Sequence, residues 1–137
     1  MDSSFLKTIS VRTNSRRQFV DITDSIQSEV TGSGIPSGIC LLFLPHTTAG
    51  LTFNENWDPC VPGDILLTLD RQVAPPHPEH RHSEGNSPAH VLSSLIGATL
   101  FLIIEEGKIL LGPWQGIFLT EFDGPRERRV TIKIIAG

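Results

Sequence analysis

Fourteen residues, His77-Pro-Glu-His-Arg-His-Ser-Glu-Gly-Asn-Ser-Pro-Ala-His90, hold four of the chain's five histidines together with Glu79, Glu84 and Asn86. The fifth, His46, stands alone in Pro45-His46-Thr47-Thr48, directly after the most apolar run of the chain. Neutral imidazole is a favoured ligand for zinc and related ions, and a catalytic zinc site usually takes three protein ligands and leaves one position open. The arrangement of interest is therefore His46 meeting His82 and His90 around one divalent metal. Glu84 and Asn86 would then orient a ligand or act on a metal-bound water. Seven residues separate His82 from His90, a spacing that permits convergence without requiring it. On spacing alone, a solvated His-rich loop with no ion is somewhat the better account. His46 by itself reads as a hydrogen-bonded strand-end histidine, and His77 and His80 read as solvated.

Three further groups of residues have chemistry to offer. Thr47, Thr48 and Asn54, near Glu55 and Asn56, supply hydroxyls, amides and a carboxylate that could grip phosphate oxygens or help a magnesium ion. They could equally satisfy turn backbone. Arg126, fixed by the turn Asp123-Gly124-Pro125, is placed to bind phosphate or carboxylate through its guanidinium, whereas Arg129 falls in a surface phase of a strand. Trp114 could stack on a ring while Gln115 reads its edge, although such a tryptophan more often fills a core gap or an interface.

These groups must be positioned by strands and short helices. Phe5 to Val11 reads as a strand that turns at Thr13-Asn14-Ser15 into Arg16 to Val20, a hairpin. Thr23 reads as the N-cap of a helix whose Ile22, Ile26 and Val30 recur every four residues, with Gly32 and Gly34 as the stop. Gly38 to Leu44 is apolar on both faces and reads as an interior strand covered on both sides, ended by Pro45. Leu51 to Glu55 reads as another strand and Asn56 to Pro62 as a loop, with Asp64 capping a helix from Ile65 to about Val73. After the His-rich loop, Ser87 as N-cap, Pro88 in the first turn and Gly97 as stop bracket a helix carrying His90 at its start. Thr99 to Ile104, Lys108 to Leu111, Gln115 to Phe122 and Arg128 to Ile135 read as strands. In the last of these Val130, Ile132 and Ile134 alternate with Arg129, Thr131 and Lys133, which marks a sheet with one wet face. The fold class is α+β, mostly antiparallel strands with about three helices, in a single domain spanning 1–137.

The bulk numbers fit that reading. With 137 residues, 39% of them hydrophobic and 19% charged, the chain can bury roughly two-thirds of its extended surface. A net charge of -4 gives no basic footprint for nucleic acid. No apolar run reaches membrane-span length, and Met1-Asp2-Ser3-Ser4-Phe5 lacks the pattern of a signal peptide. Cys40 and Cys60 read as reduced thiols, so the expected compartment is the cytoplasm.

Taken together, His46-Thr-Thr-Ala-Gly-Leu-Thr-Phe-Asn-Glu55, Glu84-Gly-Asn-Ser-Pro-Ala-His90 and Leu111-Gly-Pro-Trp-Gln-Gly-Ile-Phe-Leu-Thr-Glu-Phe-Asp-Gly-Pro-Arg-Glu-Arg-Arg129 resemble the YjbQ family, labelled secondary thiamine-phosphate synthase enzymes. The resemblance covers nearly the whole chain. It implies a compact α+β domain assembling as a homotrimer and a histidine-lined metal site, which turns the balance toward His46, His82 and His90 as ligands. It also implies a weak thiamine-phosphate synthase activity, in which a pyrimidine diphosphate is joined to a thiazole phosphate with loss of pyrophosphate. In that chemistry the metal and Arg126 stabilise departing negative charge while Thr47, Thr48 and Asn54 hold phosphate oxygens. Three imidazoles suit zinc better than magnesium, however, and a His-bound metal better matches water activation for hydrolysis of a phosphate ester or amide. A metal-dependent enzyme on a small phosphorylated substrate, a metal-assisted hydrolase and a non-catalytic trimeric binding protein all remain open.

Overall fold

The strand β8, Glu127–Ala136, sets the frame of the molecule, because its residues alternate between interior and surface from Glu127 to Ile135. Arg128, Val130, Ile132 and Ile134 point inward and are buried. The computed structural model describes residues 4–137, so Met1, Asp2 and Ser3, part of the stretch read for a signal peptide, lie outside the described residues. β8 pairs antiparallel with β1, Ser4–Arg12, on one side and with β3, Gly38–Phe43, on the other. β5, Thr99–Glu105, and the short β6, Lys108–Ile109, complete a five-stranded sheet in the order β1-β8-β3-β5-β6. A second, three-stranded sheet runs β2-β7-β4, with β2 at Gln18–Asp21, β7 at Gln115–Glu121 and β4 at Ala49–Glu55. Every pairing is antiparallel. The fold is thus α+β, as expected.

The inner faces of both sheets share one apolar cluster. It contains Cys40, Leu42, Leu102, Ile104, Ile132 and Ile134 from the first sheet and Leu51, Ile117 and Leu119 from the second. α1, Thr23–Ser33, adds Ile26 and Val30, one helical turn apart, and ends where Gly34 takes a φ of 71° and donates its N–H to the Thr31 carbonyl. Thr23 is not the cap itself. Its hydroxyl donates to Asp21 Oδ1 at 2.6 Å and accepts the Ile117 N–H at 2.9 Å, so it ties the helix start to β7. β2 also departs from expectation: it does not pair back on β1 but crosses to the second sheet. There Val20 lies opposite Leu119 and packs against the core.

α2, Cys60–Thr68, starts five residues before the expected Ile65, because Asp58 Oδ1 accepts the Cys60 N–H at 2.9 Å and Pro62 fits a first turn. Asp64 is inside it. A π-helical turn, Leu69–Val73, extends the helix. α3, Ser87–Ile96, has Asn86 rather than Ser87 at its N-cap and packs on β4. The packing is close: a Cβ on Gly50 would lie 2.8 Å from Ile96 Cγ2 and 2.9 Å from Thr120 Oγ1. Leu92, Ala89, Ala74 and Phe122 form a second apolar cluster beneath these helices, joined by Leu66, Leu69 and Ile96.

The outer face of the five-stranded sheet corrects two expectations. β3 is interior in its pairing but covered on one side only, and the face expected to be wet is largely apolar. Ile39 lies between Ile103 and Ile135, and Leu41 between Phe101 and Lys133. Leu6, Ile39, Phe43, Phe101, Ile103 and Ile135 are all exposed there. Lys133 and Thr131 on β8 gave the polar half of the pattern, while the neighbouring strands supply the apolar half.

Candidate functional site

An arginine in the inward phase of a strand needs a carboxylate, and β7 provides it. Arg128 is 2% exposed and Glu121 0%. Arg128 Nε donates to Glu121 Oε1 at 2.9 Å, and its Nη2 donates to Oε2, to the Thr48 carbonyl at 3.1 Å and to Thr48 Oγ1 at 2.9 Å. Glu121 Oε1 also accepts the Thr13 hydroxyl at 2.8 Å, and Oε2 accepts the Asp123 N–H at 3.0 Å. Burial alone would raise the Glu121 pKa. The bonds from Arg128, Asp123 and Thr13, with the Arg128 charge, overcome it and hold the carboxyl below its usual range.

The turn after β7 extends this network to the start of α3. Arg126 Nε donates to the Asp123 carbonyl at 2.9 Å and Nη2 to Asp123 Oδ2 at 3.0 Å. The same Oδ2 accepts Asn86 Nδ2 at 2.7 Å. The Asn86 Oδ1 is buried without a hydrogen-bond partner. One helical turn on stands His90, half-buried, whose ring meets that of exposed His82 at 5.1 Å and 89°. The loop returns to the helix through Gly85, at a φ of 71°, whose N–H reaches the His82 carbonyl at 3.1 Å. A hollow of about 210 Å³ lies beside it, lined by His77, His80, His82, Gly85 and Ser87. Glu84 is exposed on the same loop.

His46 is placed differently. Its Nε2 accepts the Arg129 N–H at 2.9 Å. Burial, and then the charge of Arg128, lower its pKa against the opposing pull of Glu121, so the ring is held neutral. Among the described residues no three His, Cys, Asp or Glu side chains stand together so as to hold one ion. The set His46, His82 and His90 is therefore not assembled within one chain: two imidazoles meet, and the third is committed to backbone.

The phosphate-binding expectation divides as well. Thr48 is buried in the Arg128 network and Thr47 is exposed beside it. Asn54 and Gln115 lie at the far end of the second sheet: Gln115 is six residues down β7 from Glu121, about 20 Å away at strand rise, and Asn54 is on β4 opposite the neighbouring Gly116. Each is bonded locally, Asn54 Oδ1 to the Glu55 N–H at 2.7 Å and Gln115 Oε1 to the Gly112 N–H at 2.8 Å. Trp114 fills no core gap; it is 56% exposed. Sequence reasoning gave no site role to Thr13, Glu121, Asp123 or Arg128. The signal for Arg128 was present, since the alternation that turned Arg129 outward turns Arg128 inward.

What remains in one place is a corner with the Arg126 guanidinium, the start of α3 at Ser87, and the two imidazoles of His82 and His90. Against known proteins, the family model described as UPF0047 protein YjbQ-like matches residues 7–137. UPF0047 protein YugU of Bacillus subtilis (strain 168) is 45% identical over 130 residues, covering 95% of this chain and 98% of the relative. UPF0047 protein MJ1081 of Methanocaldococcus jannaschii is 50% identical over 125 residues, 91% and 90% of the two chains. The crystal structure of an uncharacterized YjbQ/UPF0047 family protein from Clostridium acetobutylicum matches with a TM-score of 0.90 at 50% identity, covering 94% of this chain and 99% of that one. A YbjQ-like protein of unknown function from Sulfolobus solfataricus matches with a TM-score of 0.91 at 36% identity, covering 98% of each.

Proposed function

The chain belongs to the YjbQ-like UPF0047 protein family, and from that premise we propose that it is an enzyme acting on a small phosphorylated molecule at the start of α3. The observation that carries this reading is the His82–His90 ring pair standing one helical turn from Asn86, whose Nδ2 donates to the same Asp123 Oδ2 that accepts Arg126 Nη2. A phosphate bound there would accept from Arg126 and from the Ser87 N–H at the start of α3, since Pro88 has none and those of Ala89 and His90 donate to the Asn86 carbonyl. His82 or His90 would supply the proton that a departing phosphate or pyrophosphate takes up. Thiamine-phosphate synthesis, with pyrophosphate as leaving group, is the named version. Hydrolysis of a phosphate ester uses the same corner with water as the attacking group.

His82 and His90 would be the chain's imidazole donors to a divalent metal, with zinc favoured over magnesium by ligand type. The three-imidazole site does not fit within one chain, so no step is assigned to an ion. That incomplete set favours a second reading, a non-catalytic binding protein whose ion or ligand is structural. Self-association, as a homotrimer, is supported by the apolar outer face of the five-stranded sheet. A cytoplasmic setting is supported by two free thiols, Cys40 and Cys60. No helix of the described residues is long and apolar enough to cross a membrane.

The test is turnover of the pyrimidine diphosphate with the thiazole phosphate, read as pyrophosphate release by ³¹P NMR, alongside a panel of phosphate esters. His82→Ala, His90→Ala and Arg126→Ala should each lower the rate about 100-fold or more. Product formation surviving all three changes refutes the site. Silence on every substrate, with a stability loss on chelation, establishes the binding reading instead.

A further inference from the structure

At the other end of the second sheet lies a cleft that the phosphate corner does not use. It encloses about 320 Å³ and is lined by Phe19, Phe118, Trp57, Pro59 and Pro62, with Asp21, Asn56 and Asp58 at its polar side. That volume is at the lower end of small-molecule sites. Phe19 and Phe118 stand 5.4 Å apart at a tilt of 49° and form one aromatic wall. Trp57 forms the other and is 76% exposed, an unusual cost for the largest apolar side chain. It is held edge-on by Trp114 at 5.8 Å and 70°, and Asn56 ties the two segments by donating its N–H to the Trp114 carbonyl at 3.1 Å.

The charge of this cleft is of one sign. No Lys or Arg lines it. The ion pairs among the described residues are Lys7–Glu29, Arg17–Asp70, Arg126–Asp123 and Arg128–Glu121, so Asp21 and Asp58 have no cationic partner. Their bonds come from neutral donors. Asp21 accepts from the Thr23 N–H and hydroxyl and from Asn56 Nδ2, and Asp58 accepts the Cys60 N–H. Asp21 lies at the start of α1 and Asp58 at the start of α2, so each helix dipole offsets about half a charge. About one negative charge is left for the cleft.

We propose that this cleft binds a small organic monocation with a flat ring. The ring would lie against Trp57 and Phe19, while its positive charge faces Asp58 and Asp21 and the π faces of the aromatic walls. Neutral rings would gain the stacking alone, and anionic rings would meet the carboxylates.

Trp57 and Trp114 are the chain's only two tryptophans, so intrinsic fluorescence reports on this cleft alone. The experiment titrates the full chain with N-methylpyridinium, benzyl alcohol and benzoate, following tryptophan emission and, by calorimetry, heat. Saturable binding is expected for N-methylpyridinium, about tenfold tighter than for benzyl alcohol, with none for benzoate. Asp58→Asn, which keeps an oxygen for the Cys60 N–H, should lose about that tenfold, and Trp57→Leu should lose binding altogether. Asp21→Asn provides an independent second charge change if Asp58→Asn alters the far-UV circular dichroism. Linear, non-saturating quenching, equal affinity for benzoate, or unchanged affinity in the folded Asp→Asn variants each overturns the proposal. So does protection of both tryptophans from acrylamide, which would show that a second copy or another macromolecule covers the cleft. Added inorganic phosphate should leave the binding unchanged, which separates this cleft from the α3 corner.

Discussion

Replacing Arg128 by alanine should be among the most damaging single changes in the protein. The substitution removes the Nε and Nη2 bonds to Glu121 and both bonds to Thr48. It leaves Glu121, 0% exposed, with only the Thr13 hydroxyl and the Asp123 N–H as partners. Removing one member of a buried ion pair costs about 3–5 kcal/mol, because the remaining charge stays desolvated. A domain of this size has roughly 5–15 kcal/mol in all. With a urea m value of about 1.5 kcal/mol/M, the unfolding midpoint should fall by about 2–3 M. Far-UV circular dichroism is the suitable probe, since both tryptophans are exposed. The paired change Arg128→Met with Glu121→Leu should recover most of the loss, because neither charge is then stranded. A loss below about 1 kcal/mol for Arg128→Ala at an unchanged m value would refute the assignment of this pair as the anchor between the sheets.

Gly50→Ala should destabilise by about 1–3 kcal/mol through overpacking, since its Cβ would crowd Ile96, Thr120 and the Gly97 carbonyl at 2.8–3.0 Å; a midpoint equal to wild type in urea would show that α3 can move away. Phe101→Asp on the outer sheet face should shift sedimentation-equilibrium mass to the single chain without lowering secondary structure, and an unchanged oligomer mass would remove that face as the contact. Acid stability follows from Glu121. Its folded pKa is depressed relative to the usual 4.5, so its contribution is present above about pH 4.5 and is lost as pH falls through the lower folded value. Glu121→Gln should therefore flatten the stability-versus-pH curve below about 4.5, and a curve parallel to wild type would contradict the pairing.

Legibility varied with the range of the interaction that decides each feature. Strand β8 and helix α1 could be read because alternation at Val130, Ile132 and Ile134 and the four-residue spacing of Ile22, Ile26 and Val30 are local patterns. The partner of β2 could not, since Arg16 to Val20 carries no mark of which sheet it will join. The uncovered face was hidden for a related reason: β8 shows Lys133 and Thr131 outward, and only pairing with β3 and β5 places Ile39, Phe101 and Ile103 beside them. At the candidate site, the spacing of His82 and His90 permitted convergence without requiring it, and it is the turn into α3 that brings the two rings to 5.1 Å. Asn54 lies within nine residues of His46 in sequence, yet β4 runs straight between them and carries it to the other end of the sheet. Proximity along a strand is separation in space.

His46 shows how a residue type suited to a metal can be explained by backbone accounting. β3 pairs with β8 only as far as Phe43 opposite Thr131. The next β8 N–H on that side belongs to Arg129, and the residue that would continue the ladder opposite it is Pro45, which ends the strand. A backbone donor at the end of a central strand is costly to leave unpaired. His46, immediately after the proline, brings Nε2 to that N–H at 2.9 Å. The bond requires an unprotonated nitrogen, and burial together with Arg128 keeps the imidazole neutral. The same bond fixes the path of Pro45 to Thr48, which delivers the Thr48 carbonyl and hydroxyl to Arg128. A lysine or arginine could not replace it, having no acceptor. Asparagine and glutamine have the acceptor but not the ring that fills the half-buried space. His46 thus closes the ladder that β3 leaves open and sets the strand exit on which the buried ion pair depends.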